Sequence, residues 1–310
     1  SNLGLRALIQ CIGLEGKKIQ AYHIGFILAP CLNASGKLDT AKRALALLRA
    51  KTEREADMLA GDLKALNESR RDMTDRVVDE AMAKVEQTDI RGDKVLVIYL
   101  PDCHESLAGL VAGRVRENYY RPVFVLTDSE DGVKGSGRSI ESYSMYEELT
   151  GCGDLLTKFG GHPMAAGLSL DKENVEKFKR RLNDQCTLSE EELTEKVVID
   201  MELPFAAITE QFIEELEYME PFGKGNTKPV FAARGVVMQH VKIIGKNKNV
   251  AKATAIDAAG NRMEAICFHD AQEFAERCER NNGKMSITFY PGINEFRGER
   301  QIQIVITHYR

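Results

Sequence analysis

From Asp39 to about Glu86 the chain carries no proline and a single glycine, Gly61. A stretch that long without a breaker predicts helix. Apolar residues recur at Met58, Leu59, Leu63, Leu66, Met73, Val77, Val78, Ala81 and Met82, close to the helical period, and most other positions are charged. A helix or helix pair this long and polar on most faces predicts a connector between two bodies. The remaining sequence must therefore be organised around the two ends of a rod.

Ahead of the rod the first fifty residues predict helices, with a break at Ala29-Pro30-Cys31-Leu32-Asn33-Ala34-Ser35-Gly36. Beyond it, Ile90-Arg91-Gly92-Asp93 ends the helix. The apolar run Val95-Leu96-Val97-Ile98-Tyr99-Leu100 then predicts a buried strand. A helix over 105–119 and a second apolar strand, Pro122 to Thr127, complete a βαβ unit. A glycine-rich loop (Gly132, Gly135, Gly137), a helix from about Ser144 to Lys158, a glycine turn, a short strand near Ala166–Leu170 and a helix from about Lys172 to Cys186 follow. The acidic segment Ser189–Glu195 reads as a linker. After one more helix, about Ile208–Met219, five strands are expected at about 230–244, 250–257, 262–268, 285–290 and 301–308. A helix of about Ala271–Arg280 lies between the third and fourth. That is the order of an OB-fold barrel, with a small β-sandwich as the alternative on pattern alone. The expected fold class is α/β plus β, and 310 residues suffice for two or three such domains.

No stretch approaches the roughly 20 apolar residues of a membrane span, so no membrane partner is expected. The N-terminus runs into Leu3–Ile9 without a signal-peptide pattern, and Ser1-Asn2 reads as the residue of a cleaved tag on a chain that begins further upstream. Seven scattered cysteines form no CxxC pair, which disfavours a zinc site or disulfide framework and suits a reducing cytoplasm. The net charge of −5 hides two basic regions. Residues 1–50 hold 7 Lys/Arg against 2 Asp/Glu, and residues 224–269 hold 8 against 2. Such regions in an acidic protein fit a path for an anionic ligand, or simply a solvated surface.

The strongest local signal is Phe159-Gly160-Gly161-His162-Pro163-Met164-Ala165-Ala166-Gly167. Paired glycines let a backbone approach a ligand closely, and His162 can donate a hydrogen bond to a phosphate; a structural glycine turn is the other reading. Gly135-Ser136-Gly137-Arg138-Ser139 offers hydroxyls and a guanidinium on what reads as a flexible loop, again suited to phosphate or to a solvent hairpin. Leu32-Asn33-Ala34-Ser35-Gly36-Lys37 joins turn residues to one cation, and His104 opens a helix, where it caps or meets an anion. Glu220-Pro221-Phe222-Gly223-Lys224-Gly225-Asn226 reads as a rigid turn before the barrel. Asn294-Glu295-Phe296-Arg297-Gly298 reads as a hairpin tip, where Phe296 beside Arg297 can stack a base or pack. No DxD, DHH, HExxH, GxSxG or Walker pattern occurs, and the six histidines stand apart. Phosphate-binding features without a hydrolytic engine predict no nuclease activity from this stretch alone.

Taken together and in this order, these motifs resemble the RecJ single-stranded-DNA exonucleases of the DHH phosphoesterase superfamily. Gly160-Gly161-His162 with Ala165-Ala166-Gly167 is similar to the signature of the DHH-associated domain, Ser136-Gly137-Arg138-Ser139 to the SGRS motif, and Leu32 to Lys37 to the LNAxGR motif. The segments around Lys224 and Arg297 resemble motifs of the RecJ OB domain. The resemblance implies that residues 1–50 end a DHH domain, 51–90 form the connector helix, 91–187 the DHH-associated α/β domain and 195–310 the OB domain. It implies digestion of single-stranded DNA from the 5′ end in repair and recombination. Mn²⁺ or Mg²⁺ would be held by a DHH domain outside this stretch, with no metal or other cofactor in it. Phosphates would be gripped by Gly160, Gly161, His162, Ser136, Gly137, Arg138, Ser139, Asn33, Lys37 and His104, and the strand by Lys224, Lys246, Lys248, Phe296 and Arg297. Single-stranded DNA is the implied partner, with a single-strand-binding protein or a helicase as protein partners. The family usually has arginine where Lys37 stands, and a lysine cannot make arginine's bidentate phosphate contact. Many relatives carry Trp-His-Pro-Gly where this chain has Cys103-His104-Glu105-Ser106, so only His104 is carried over. Competing readings are a sister phosphodiesterase for short oligonucleotides or cyclic dinucleotides, and a non-catalytic single-strand-binding module.

Overall fold

The computed structural model describes residues 2–38, 40–223, 225–245, 247–296 and 298–310, and the backbone alone of Leu38 and Phe296. The chain divides into two compact units, Ser1–Glu195 and Lys196–Arg310.

The first unit opens with helix α1 (Leu3–Cys11), a π-helical segment (His23–Leu28) and helices α2 (Ala29–Leu38) and α3 (Lys42–Arg49). Helix α4 (Glu53–Gln87) follows, about 52 Å long at 1.5 Å per residue. The break expected at Ala29–Gly36 is instead the body of α2. Pro30 lies inside a continuous helical run, directly after the π-helical segment, in which the Ala29 amide donates to the Ile24 carbonyl; wide-turn π geometry is one way a helix accommodates such an interruption. Ser35 turns its hydroxyl back to the Leu32 carbonyl at 3.1 Å. With Ala34 and Ser35 fully buried, the small side chains let the helix lie close on its neighbours. Of the two forms expected for the stretch from Asp39, one helix or a pair, the structure has the pair, α3 and α4. Ala50 turns extended (ψ 133°), and Thr52 caps α4 by accepting from the Glu55 amide at 3.2 Å. Glu55 accepts from the Lys51 amide at 3.1 Å. The two partners stand in the Thr-x-x-Glu spacing of a capping box.

α4 connects two cores within this unit. Its N-terminal half buries Ala56, Ala60 and Leu63 against the preceding helices, and its C-terminal half buries Ala81 and Val85 against the α/β layer. That layer holds β1 (Leu96–Tyr99), α5 (Glu105–Tyr119), β2 (Val123–Ser129), β3 (Gly132–Arg138), α6 (Met145–Gly151), β4 (Lys158–His162), β5 (Ala165–Leu170) and α7 (Val175–Gln185). The sheet order is β1-β2-β3-β5-β4, with β1 and β2 parallel and the remaining pairs antiparallel. α6 and α7 cover one face through Phe124, Met145, Leu168, Phe178 and Leu182. α5 packs on the other through Leu107, Val111 and Val115.

Two expectations fail here. The stretch 135–138 is not a loop but most of β3, hydrogen-bonded on both sides. The helix expected to Lys158 stops at Gly151, so Lys158 begins β4. The acidic segment Ser189–Glu195 is fastened to the first unit: Leu193 is buried and Arg121 donates to its carbonyl at 2.6 Å.

The second unit runs β6 (Met201–Glu202), α8 (Glu210–Glu217), β7 (Phe231–Ile244), β8 (Val250–Ile256), β9 (Arg262–Cys267), α9 (Ala271–Arg280), β10 (Lys284–Phe296) and β11 (Glu299–Tyr309). Its strand order β10-β11-β9-β8-β7 is closed by a β10–β7 pairing, and β11 runs parallel to β9. This is a five-stranded barrel of the OB type with its helix between the third and fourth barrel strands. Alternate residues fill it: Ala251, Ala253 and Ala255 of β8 leave room for Phe274, Phe289 and Met238.

Candidate functional site

Period-two alternation on β3, β5 and β4 builds one site. Gly135 and Gly137 face the α6/α7 core so tightly that an added Cβ would fall 2.4 Å from Leu126 and 2.6 Å from Phe124. These glycines are therefore set by packing. Their neighbours Lys134, Ser136 and Arg138 point to the opposite face, towards α5. Strand register carries that face across the sheet. Arg138 stands opposite Ala165 and Ala165 opposite His162; Ser136, Gly167 and Gly160 form the next rung; Lys134, Ser169 and Lys158 form the third. Directly opposed residues of antiparallel strands share a face. The outer members of each rung are thus about 10 Å apart, two inter-strand spacings.

The middle of this face is bare. A Cβ on Gly160 would meet nothing within 4 Å, and one on Gly167 only a carbonyl at 3.9 Å. Gly161 turns the other way, with φ +154° and a hypothetical Cβ 2.4 Å from the Ala165 carbonyl, a place only glycine fills. A cleft of about 510 Å³ lies over this floor, bounded by Glu105 and Ser106 of α5 and by Lys134, Ser136 and Lys158.

At the first rung Arg138 is half-buried and lines a separate hollow with Gly109, Arg116 and Met164. Its Nη1 donates to the Gly137 carbonyl at 2.7 Å and to Ser136 Oγ at 3.3 Å. Burial, and then the neighbouring Arg116, pull its pKa down from the usual guanidinium value. Gly109 of α5 makes room for it: a Cβ there would stand 2.6 Å from Arg138 Nη2 and 2.9 Å from Ser136 Oγ. His162 is exposed and its Nδ1 accepts from the Met164 amide at 3.3 Å, so in the neutral ring Nε2 carries the proton outward. At the far end Lys134 pairs with Glu105 at 2.6 Å; that contact raises the lysine's pKa and holds the carboxyl below its usual range. Lys158 has no ion-pair partner among the described residues.

Other expected residues stand elsewhere. Ser139 is buried and its hydroxyl donates to the Tyr143 carbonyl at 2.5 Å. His104 caps α5, its Nδ1 accepting from the Ser106 amide at 3.2 Å. Asn33 and Lys37 are exposed on α2 rather than on a loop. Lys248 is exposed in the turn between β7 and β8. Lys224, Lys246, Arg297 and the side chain of Phe296 lie outside the described residues. Lys252 is paired with Glu264 at 2.6 Å, while Lys228 lies over the Tyr290 ring at 3.6 Å. Lys134, Lys158 and Ser169 were missed as site residues, although Lys-x-Ser-x-Arg and Lys-x-Gly-x-His are the alternations that reveal a strand face. Among the described residues no group of three or more His, Cys, Asp or Glu is placed to hold a metal ion.

Residues 92–188 match the DHHA1 domain family and residues 199–308 the RecJ OB domain family. The chain thus carries a DHHA1 domain followed by a RecJ OB domain, and it is similar to RecJ proteins over nearly its whole length. It is 34% identical over 310 residues to the single-stranded-DNA-specific exonuclease RecJ of Bacillus subtilis, covering 99% of this chain and 39% of that protein. The protein of the same name from Escherichia coli is 32% identical over 314 residues, covering 98% of this chain and 54% of that protein. The chain thus spans roughly two-fifths to a little over half the length of these curated relatives. The crystal structure of RecJ in complex with Mg²⁺ from Thermus thermophilus superposes with a TM-score of 0.81 at 24% identity, covering 100% of this chain and 46% of that one. At that identity the match shows the RecJ fold. A counterpart in complex with Mn²⁺ gives a TM-score of 0.80 at 25% identity, covering 100% of this chain and 44% of that one.

Proposed function

We propose that this stretch is the substrate-gripping part of a RecJ-type exonuclease that digests single-stranded DNA from the 5′ end in repair and recombination. The rung Arg138–Ala165–His162, set beside a bare glycine floor in the DHHA1 domain, carries the reading. A guanidinium held by its own strand carbonyl and an imidazole with Nε2 outward can clasp one phosphate from two sides. Ser136 adds a hydroxyl, and the floor lets the strand's backbone approach without obstruction. Gly161 holds the turn that puts His162 in register. Gly137 packs Arg138's strand, and Ser139 anchors its end.

What these residues do is bind and orient a phosphodiester. In this reading Mn²⁺ or Mg²⁺ is held by residues outside the stretch and supplies the hydrolytic chemistry; the names of the crystallised relatives support the choice of ions. Asn33, Lys37 and His104 belong to the same phosphate path on the strength of the family motifs, and residues 1–50 to the end of a DHH domain. The barrel guides the single strand with Lys248 and with Lys224, Lys246, Phe296 and Arg297. The RecJ OB match supports this over a dinucleotide phosphodiesterase. A single-strand-binding protein or helicase as partner rests on the resemblance, and a cytoplasmic location on the scattered cysteines; among the described residues no helix is long and apolar enough to cross a membrane.

The test is binding of a 5′-phosphorylated oligo-dT to the 310-residue chain and to its Arg138→Ala and His162→Ala variants. A hydrogen bond to a charged group contributes about 1.5–3 kcal/mol, so each variant should bind about 10- to 100-fold more weakly at unchanged Tm. Unaltered affinity in both variants contradicts the proposal.

A further inference from the structure

We propose a second phosphate subsite on the third rung, where Lys134 and Lys158 flank Ser169, gated by Glu105. It rests on the phosphate reading of Arg138 and His162 and deepens it. The third rung lies four residues along the strands from the first. At about 3.4 Å per residue that is ~14 Å. Both rungs present their side chains on the same face, and the bare Gly160–Gly167 floor runs between them. A nucleic-acid strand advances about 3.4 Å per nucleotide when stacked and further when extended. A strand lying along the floor with one phosphate on Arg138 and His162 therefore brings another to the third rung within four nucleotides.

The rung has the chemistry for it. Lys158 is exposed, lines the cleft and has no ion-pair partner among the described residues. Ser169 offers a hydroxyl between the two lysines. Lys134 holds the carboxylate of Glu105 at 2.6 Å, at the start of α5 and at the cleft's edge. A phosphate arriving there takes the place of that carboxylate on Lys134, and Glu105 must move aside or repel it. The ligand class is the phosphodiester of a single strand several nucleotides long, as opposed to a mononucleotide. Glu105 weakens the grip on the distal phosphate and so limits how tightly a strand of several nucleotides is held.

The 310-residue chain would be titrated with 5′-phosphorylated mono- and pentathymidylate. The pentamer is expected to bind at least tenfold more tightly than the monomer. Lys158→Ala should remove most of that gain and leave the monomer's affinity unchanged. Glu105→Gln, which frees Lys134, should enlarge the gain several-fold, again without effect on the monomer. If Lys158→Ala leaves the pentamer-to-monomer ratio as it was, the second subsite is overturned. The first subsite then stands as long as Arg138→Ala weakens the monomer. If the unmodified chain binds neither ligand, the phosphate reading itself fails and the second subsite falls with it.

Discussion

Gly160 and Gly161 are adjacent and identical, yet they answer to different demands. Gly161 occupies φ +154° with no room for a Cβ against the Ala165 carbonyl, so it is required by the backbone. Gly160 has open space before it, so packing does not require it, and in the proposed reading its bareness leaves the floor free for the strand. Gly161→Ala should cost about 1–3 kcal/mol, the usual range for strain or overpacking, and lower the Tm by several degrees. Gly160→Ala should leave the Tm alone and weaken oligo-dT binding, because its methyl stands on the floor. Thermal melts and one titration on the two variants decide this. Equal destabilisation would make both glycines structural and remove the reason to read the floor as a ligand surface. The sequence shows two glycines and a histidine but not which glycine faces which way, since that depends on the register of β4 against β5.

At the scale of elements, strongly apolar or cleanly alternating segments were legible. β1 and β2 stand where continuous apolar runs demand buried strands, and the barrel's order follows from five strands and one helix. Glycine-rich segments were not legible. β3 looks like a loop because Gly135 and Gly137 suggest freedom, whereas the neighbouring Leu126 and Phe124 demand their smallness. Proline misled in α2 for the opposite reason, since Pro30 is carried within a helical run whose preceding turns are π-helical. The apolar period left one helix or a pair open, and the capping pattern Thr52-x-x-Glu55 is what marks the break between α3 and α4. Thr52→Ala should therefore cost about 1 kcal/mol, read as a lower midpoint in urea with an unchanged slope. No shift in the midpoint would mean that α4 does not depend on this cap. At the site, Arg138 and His162 were legible as chemistry, while Lys134 and Lys158 emerge only when three strands are laid side by side.

For the whole molecule, the proposed reading is of a stretch that grips the substrate of a nuclease, and the two matched domains support it. With no group of metal ligands among the described residues, the purified chain is expected to leave labelled single-stranded DNA intact in the presence of Mn²⁺. Dose-dependent degradation that survives repurification would contradict this. The cations of the barrel are partly committed, Lys252 to Glu264 and Lys228 to Tyr290. The electrostatic part of binding should therefore be modest and easily screened. The most direct measurement is a titration of the 310-residue chain with labelled oligo-dT and with duplex of equal length at several salt concentrations. The account predicts tighter binding of the single strand, with log affinity falling against log salt by about 0.7 per phosphate contacted. Equal affinity for the duplex, or no binding of the single strand at low salt, would contradict it.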